Sequence, residues 1–104
     1  MHFVYIIYSP ALDKYYVGES FDPTNRSTEH NTGFYPGSWT SKSNDWILKK
    51  SIPFPNITQA RKAEAFIKKM KSRKFIEALV MDSKWLEEKF SAEGHSPEAS
   101  GRIL

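Results

Sequence analysis

The chain has no cysteine, which excludes disulfides, thiolate nucleophiles and cysteine-ligated zinc. It has no apolar run approaching the roughly 20 residues that span a bilayer. Met1-His2-Phe3 leads straight into a strand pattern, without the charged-then-apolar order of a secretory signal. A cytoplasmic, soluble protein with no membrane partner is therefore expected. Neither sign of charge dominates: fifteen Lys and Arg against twelve Asp and Glu leave a formal +3, with a pI near 9.2, which favours an anionic partner without demanding one. No internal repeat is visible, and 104 residues leave no room for a second domain. What the chain does have is aromatics, 14% of its residues, within a 39% apolar share. Domains of this size bury roughly two-thirds of their unfolded surface, enough for one modest core of Phe, Tyr, Trp, Ile, Leu and Val.

The spacing predicts a small α+β domain. His2 to Tyr8 are β-branched or aromatic almost throughout. They form a strand with Phe3, Tyr5 and Ile7 on one face, Val4, Ile6 and Tyr8 on the other, and both faces covered. A loop of Ser9 to Lys14 and a second strand through Tyr15-Tyr16-Val17-Gly18 complete a β-hairpin, and Gly18 lets another group come close. Asp22-Pro23 starts a helix that runs to Asn31 and closes at a left-handed Gly33. Phe34 to Asp45 is a long loop, and Trp46 to Ile52 a third strand stopped by Pro53 and Pro55. Thr58 then caps a helix whose buried stripe is Ala63, Phe66, Ile67 and Met70. A helical segment with Phe75, Ile76, Leu79 and Val80 follows, and Ser83 caps a last helix bearing Trp85, Leu86 and Phe90. Residues 1–90 make the domain, and the small, polar residues 91–104 a mobile tail.

Charge is concentrated between Arg61 and Lys74, where Lys68, Lys69, Lys71 and Arg73 stand among further cations opposed only by Glu64. Such a segment suits a phosphate-facing surface, although a solvated lysine-rich face has the same composition. The hairpin and first helix supply two tyrosyl hydroxyls, the Arg26 guanidinium and the His30 imidazole, the last two spaced i, i+4 on one face. Phosphodiester cleavage needs an activated water, cationic neutralisation of the phosphoryl oxygens and a stabilised leaving oxygen. A lone carboxylate such as Glu64 can hold one Mg²⁺, which keeps most of its waters and takes phosphate oxygens as further ligands. Arg26 can grip non-bridging oxygens bidentately. Taken singly, each residue is more often bland: a core tyrosine, an exposed arginine, a glutamate paired with Lys68. The argument rests on their co-occurrence.

Phe3-Val4-Tyr5, Tyr16-Val17-Gly18, Arg26, His30-Asn31 and Glu64, in that order, closely resemble the GIY-YIG nuclease domain, particularly its small stand-alone bacterial members. The resemblance covers about the first 80 residues. It implies a three-stranded antiparallel sheet flanked by helices and a Mg²⁺- or Mn²⁺-dependent endonuclease acting on DNA, with a structure-specific role in repair or recombination. Tyr5, Tyr16, Arg26 and His30 are then catalytic, one tyrosine serving as general base, and Glu64 is the metal ligand. Gly18, Ser20, Asn31, Thr40, Lys42, Lys68, Lys71 and Arg73 are expected at the substrate. Phe3, Val4 and Val17 are conservative departures from the motif, whereas Glu19 adds negative charge beside it and would bind metal or weaken DNA affinity. With no dedicated reader domain, specificity must come from nucleic-acid shape or a protein partner. Two rival readings are a non-catalytic nucleic-acid-binding module of the same fold and a protein-interaction domain presenting Trp39, Trp46 and Trp85.

Overall fold

The computed structural model describes residues 1–33 and 36–91. The expected mobile tail, apart from Ser91, lies outside the described residues, as do Phe34 and Tyr35 of the long loop. The elements are β1 (His2–Ser9), β2 (Lys14–Ser20), α1 (Pro23–Asn31), a 3₁₀ turn (Trp39–Lys42), β3 (Ile47–Phe54), α2 (Ile57–Met70), α3 (Arg73–Met81) and α4 (Lys84–Lys89). The strands form one antiparallel sheet in the order β2-β1-β3. No helix among the described residues is long and apolar enough to cross a membrane.

Because β1 is the central strand, both of its faces need cover, which explains why its sequence shows almost no polar alternation. Val4 and Ile6 join Val17, Ile52, Phe54, Ala60, Ala63, Ile67, Leu79 and Leu86 in the larger core, on the side of α2, α3 and α4. Tyr5 and Ile7 face the other way and pack with Trp46, flanked by Leu12, Tyr16 and Leu48. Burying one such side chain contributes about 1.5–3 kcal/mol, so the larger cluster carries most of the stability. The smaller one carries the hydroxyls.

Several expected boundaries move. Pro53 does not stop β3, which continues to Phe54 with Pro53 opposite Phe3. β3 is an edge strand, where a proline's missing N–H can face away from the ladder. Helix α2 begins ahead of Thr58, because the Asn56 side chain accepts from the Gln59 N–H at 2.9 Å and is the cap. Its buried stripe is Ala60, Ala63 and Ile67, with Phe66 at the margin. Met70 is the last helical residue and stays exposed, since the chain turns away at Lys71 with φ of 48°. The long loop contains the 3₁₀ turn. As expected, the Asp22 carboxylate accepts from Asn25 N–H with Pro23 at the first turn, and Gly33 has φ of 76°. Ser83 stands at the start of α4, but its hydroxyl makes no cap bond and donates to Glu87 at 3.2 Å instead. The cap of α3, not foreseen, is the Ser72 hydroxyl, which accepts from Phe75 N–H at 3.1 Å.

The basic segment is less bare than its sequence suggests. Arg61 lies 3.6 Å from Glu19, Lys68 is 2.8 Å from Glu64, and Arg73 reaches both Asp13 and Glu77. Carboxylates from the distant hairpin therefore join Glu64 in opposing it.

Candidate active site

The tyrosines are placed by the β1–β2 register. Tyr5 pairs directly with Gly18, so its ring has no opposing side chain and lies across the glycine. A Cβ at position 18 would stand 2.4 Å from both the Tyr5 Cζ and its hydroxyl oxygen. The close approach expected at Gly18 is thus made by a neighbouring ring. Tyr5 is buried, and its hydroxyl lies 2.9 Å from His30 Nε2. The other imidazole nitrogen, Nδ1, is 2.7 Å from the Thr40 hydroxyl, itself 3.1 Å from the Ser38 hydroxyl. A continuous polar chain therefore runs from the central strand through α1 to the 3₁₀ turn.

Tyr16, two residues before Gly18 on the same face, is half-buried and meets His30 edge-on at 5.4 Å between ring centres. Together Tyr5, Tyr16, Arg26, His30, Ser38, Trp39 and Thr40 line a cleft of about 210 Å³. The i, i+4 spacing of Arg26 and His30 does put both side chains into it. Burial lowers the His30 pKa, the Arg26 charge lowers it further, and Glu29 works weakly in the opposite sense. The imidazole is therefore neutral near pH 7. Arg26 is partly exposed, with its Nε 3.4 Å from Glu29.

Glu64 does not line this cleft. It sits on α2 with a mostly buried carboxylate bound to Lys68 at 2.8 Å, and the Lys68 ammonium lies over the Tyr16 ring at 5.4 Å. The glutamate is linked to Tyr16 through this lysine. No group of three or more His, Cys, Asp or Glu side chains that could hold a metal occurs among the described residues. A single hard oxygen donor fits Mg²⁺ or Mn²⁺, which retain waters and accept phosphate oxygens, and does not fit a nitrogen or sulfur cage.

A second, larger groove of about 390 Å³ continues from Tyr16 and Trp39 past Lys14, Lys68, Lys71 and Arg73. Of the residues expected at the substrate, Lys68 and Lys71 line it, and Lys42 is exposed with its ammonium 5.9 Å from the Trp39 ring centre. Arg73 also borders it, with three of its five N–H donors already used within the chain. It donates to the Asp13 carbonyl at 3.0 Å, the Asp13 carboxylate at 2.8 Å and Glu77 at 3.0 Å, and lies over Tyr8 and Tyr15. The Arg73 hydrogen bond, with one donated by the Tyr8 hydroxyl at 2.6 Å, holds the Asp13 carboxyl down at about 2. Arg73 is a tie between the hairpin turn and α3.

Four other residues expected at the substrate are engaged within the fold. Gly18 is covered by Tyr5, and the Ser20 hydroxyl is buried and accepts from Asp22 N–H at 2.9 Å. Asn31 donates to the Trp46 carbonyl at 2.8 Å and accepts from the Trp46 N–H at 2.6 Å. Thr40 is buried against His30. Ser20, Asn31 and Thr40 each satisfy a polar group that would otherwise be stranded away from water. Glu19 lies 2.5 Å from His2 Nδ1 and 3.6 Å from Arg61, whose guanidinium offsets its charge. Sequence reasoning did not place Ser38 or Trp39 in the site. The available signal was an exposed-type aromatic directly before Thr40, between the Pro36-Gly37 turn and Lys42.

The family model of the GIY-YIG catalytic domain matches residues 1–76, from β1 into α3, a span that includes every residue of the cleft and Glu64. No curated protein and no solved structure matches the chain significantly.

Proposed function

Because the chain belongs to the GIY-YIG catalytic domain family, and is thus a nuclease-type domain whose substrate is nucleic acid, we propose that it is a divalent-metal-dependent endonuclease hydrolysing DNA phosphodiester bonds. The observation that carries this reading is the meeting of Tyr5, Tyr16, Arg26 and His30 in one small cleft, with the Tyr5 hydroxyl on the nitrogen of an imidazole kept neutral.

With the Nδ1 proton donated to Thr40, the His30 Nε2 lone pair faces the Tyr5 hydroxyl. As water attacks phosphorus, its proton goes to the Tyr5 oxygen while the Tyr5 proton passes to His30, so the phenol is restored and the imidazole becomes charged. The neutral resting state of His30 is what leaves it able to accept. Arg26 holds non-bridging oxygens of the phosphate as charge builds on them, and Tyr16, less buried than Tyr5, orients the same group. A divalent cation held by Glu64, completed by waters and phosphate oxygens, would supply neutralisation of the leaving oxygen. The Lys68 ammonium beside that carboxylate and over Tyr16 holds the two halves of the site in register.

Labelled duplex and branched DNA incubated with Mg²⁺, Mn²⁺ or a chelator tests the proposal. Nicking is expected only with a cation, and Arg26→Ala is expected to reduce it by about 10²–10³-fold, the scale of one lost charge-stabilising donor. Glu64→Ala should abolish it. The fold should survive, since the Lys68 end of the pair is half exposed and an i, i+4 helix pair is worth only about 0.3–0.5 kcal/mol. Cleavage by Glu64→Ala at the parental rate, or by the parent in chelator, would reject the metal assignment.

A further inference from the structure

Trp39 is the least explained aromatic of the site. It remains 42% exposed although it borders both the tyrosine cleft and the basic groove, and it stands where the two meet. Its indole is nearly parallel to the Tyr16 ring, at 17° and 6.2 Å between centres, and leans on Trp46 at 5.8 Å. Trp46 is itself pinned, donating from Nε1 to the Thr40 carbonyl at 2.9 Å in the same 3₁₀ turn. An exposed indole thus rests against two other rings beside the reacting groups, with the Lys42 ammonium 5.9 Å from the Trp39 ring centre and the Lys68 ammonium 5.4 Å from that of Tyr16.

Rigid, exposed aromatics interleaved with cations are what bind unpaired nucleotides, because a base offers a free π-face only when it leaves the duplex stack, while the cations follow the phosphates. Resting on the nuclease reading above, we propose that Trp39 is a stacking platform for an unpaired base next to the scissile phosphate, which makes single-stranded DNA, or the single-stranded part of a branched DNA, the substrate class. The groove past Lys14, Lys68 and Lys71 then takes the continuing strand.

The test is binding rather than cleavage, so that it stands apart from the nuclease assignment. Fluorescence anisotropy of a labelled single-stranded oligonucleotide and of the blunt duplex of the same sequence, both in chelator, is compared for the parent, Trp39→Phe and Trp39→Leu. Leucine fills the space against Tyr16 and Trp46 without offering a π-face. The expected result is a loss of single-strand affinity of roughly 5- to 100-fold in Trp39→Leu, the scale of one base–aromatic stack. Trp39→Phe should stay within a few-fold of the parent, and duplex affinity should be unchanged in both. Unchanged single-strand affinity in Trp39→Leu, or equal losses on single strand and duplex, would overturn the proposal. Single-strand preference without any metal-dependent nicking would uphold the platform and reject the endonuclease.

Discussion

At position 18 a hydrogen stands where every other residue would place a carbon, and the Tyr5 ring occupies that space. Gly18 belongs to the chemistry without touching substrate, because it decides where the Tyr5 hydroxyl, and through it His30, can sit. Gly18→Ala is expected to lower stability by about 1–3 kcal/mol, the usual scale of overpacking, read as a lower urea midpoint. Displacing the hydroxyl by about 1 Å should also cut cleavage by about 10²-fold. Parental values of both would show that the ring can move aside freely. The sequence disclosed that Gly18 lets another group come close. That the visitor is Tyr5 follows from cross-strand register, a non-local fact. The same holds for Arg73: its residue type announced a phosphate contact, and only its position against Asp13, Glu77 and two tyrosine rings showed the guanidinium to be a structural tie.

Among the elements, α1 and β3 are joined by a single side chain. Asn31, at the end of α1, meets both the N–H and the carbonyl of Trp46, 15 residues later in the chain. That clamp sets the angle at which α1 presents Arg26 and His30, and it fixes the residue that supports the 3₁₀ turn. Asn31→Ala leaves two part-buried backbone groups unmet, a cost of about 1–3 kcal/mol, and should lower the denaturation midpoint together with activity. Asn31→Asp keeps the acceptor but loses the donor, so its midpoint should fall between the two. Element types were readable because each follows from local chemistry: the apolar run of β1, the Asp22-Pro23 start of α1, the apolar spacing of α2. Boundaries were less so. Asn56 outcompetes Thr58 as a cap because the loop geometry before α2 puts its side chain on Gln59, and Pro53 is tolerated because β3 is an edge, which the pairing order alone decides.

Over the whole molecule a small net charge of +3 becomes useful by being gathered into one groove, where Lys14, Lys68 and Lys71 line the path leading from the tyrosine cleft. Counterion release then predicts DNA affinity falling with salt at a log–log slope proportional to the phosphates neutralised. Lys14→Gln with Lys71→Asn, the asparagine chosen because Lys71 has a left-handed φ of 48° that asparagine tolerates, should flatten that slope by about 1–2. Affinity measured across a salt series checks it, and an unchanged slope would place the nucleic acid elsewhere. By itself the sequence determined that the domain is a small α+β nuclease fold, with paired tyrosines, Arg26 and His30 arriving in family order, because periodicity, capping and motif spacing are local and survive as a string of letters. The tertiary structure alone decided that Ser20 and Asn31 bond to backbone groups of the fold, that Thr40 bonds to His30, that Glu64 meets Tyr16 by way of Lys68, and that Trp39 stands exposed beside the tyrosines. Those facts depend on which distant segments share a face of the sheet, and burial and hydrogen-bond satisfaction are settled only when all of them pack at once.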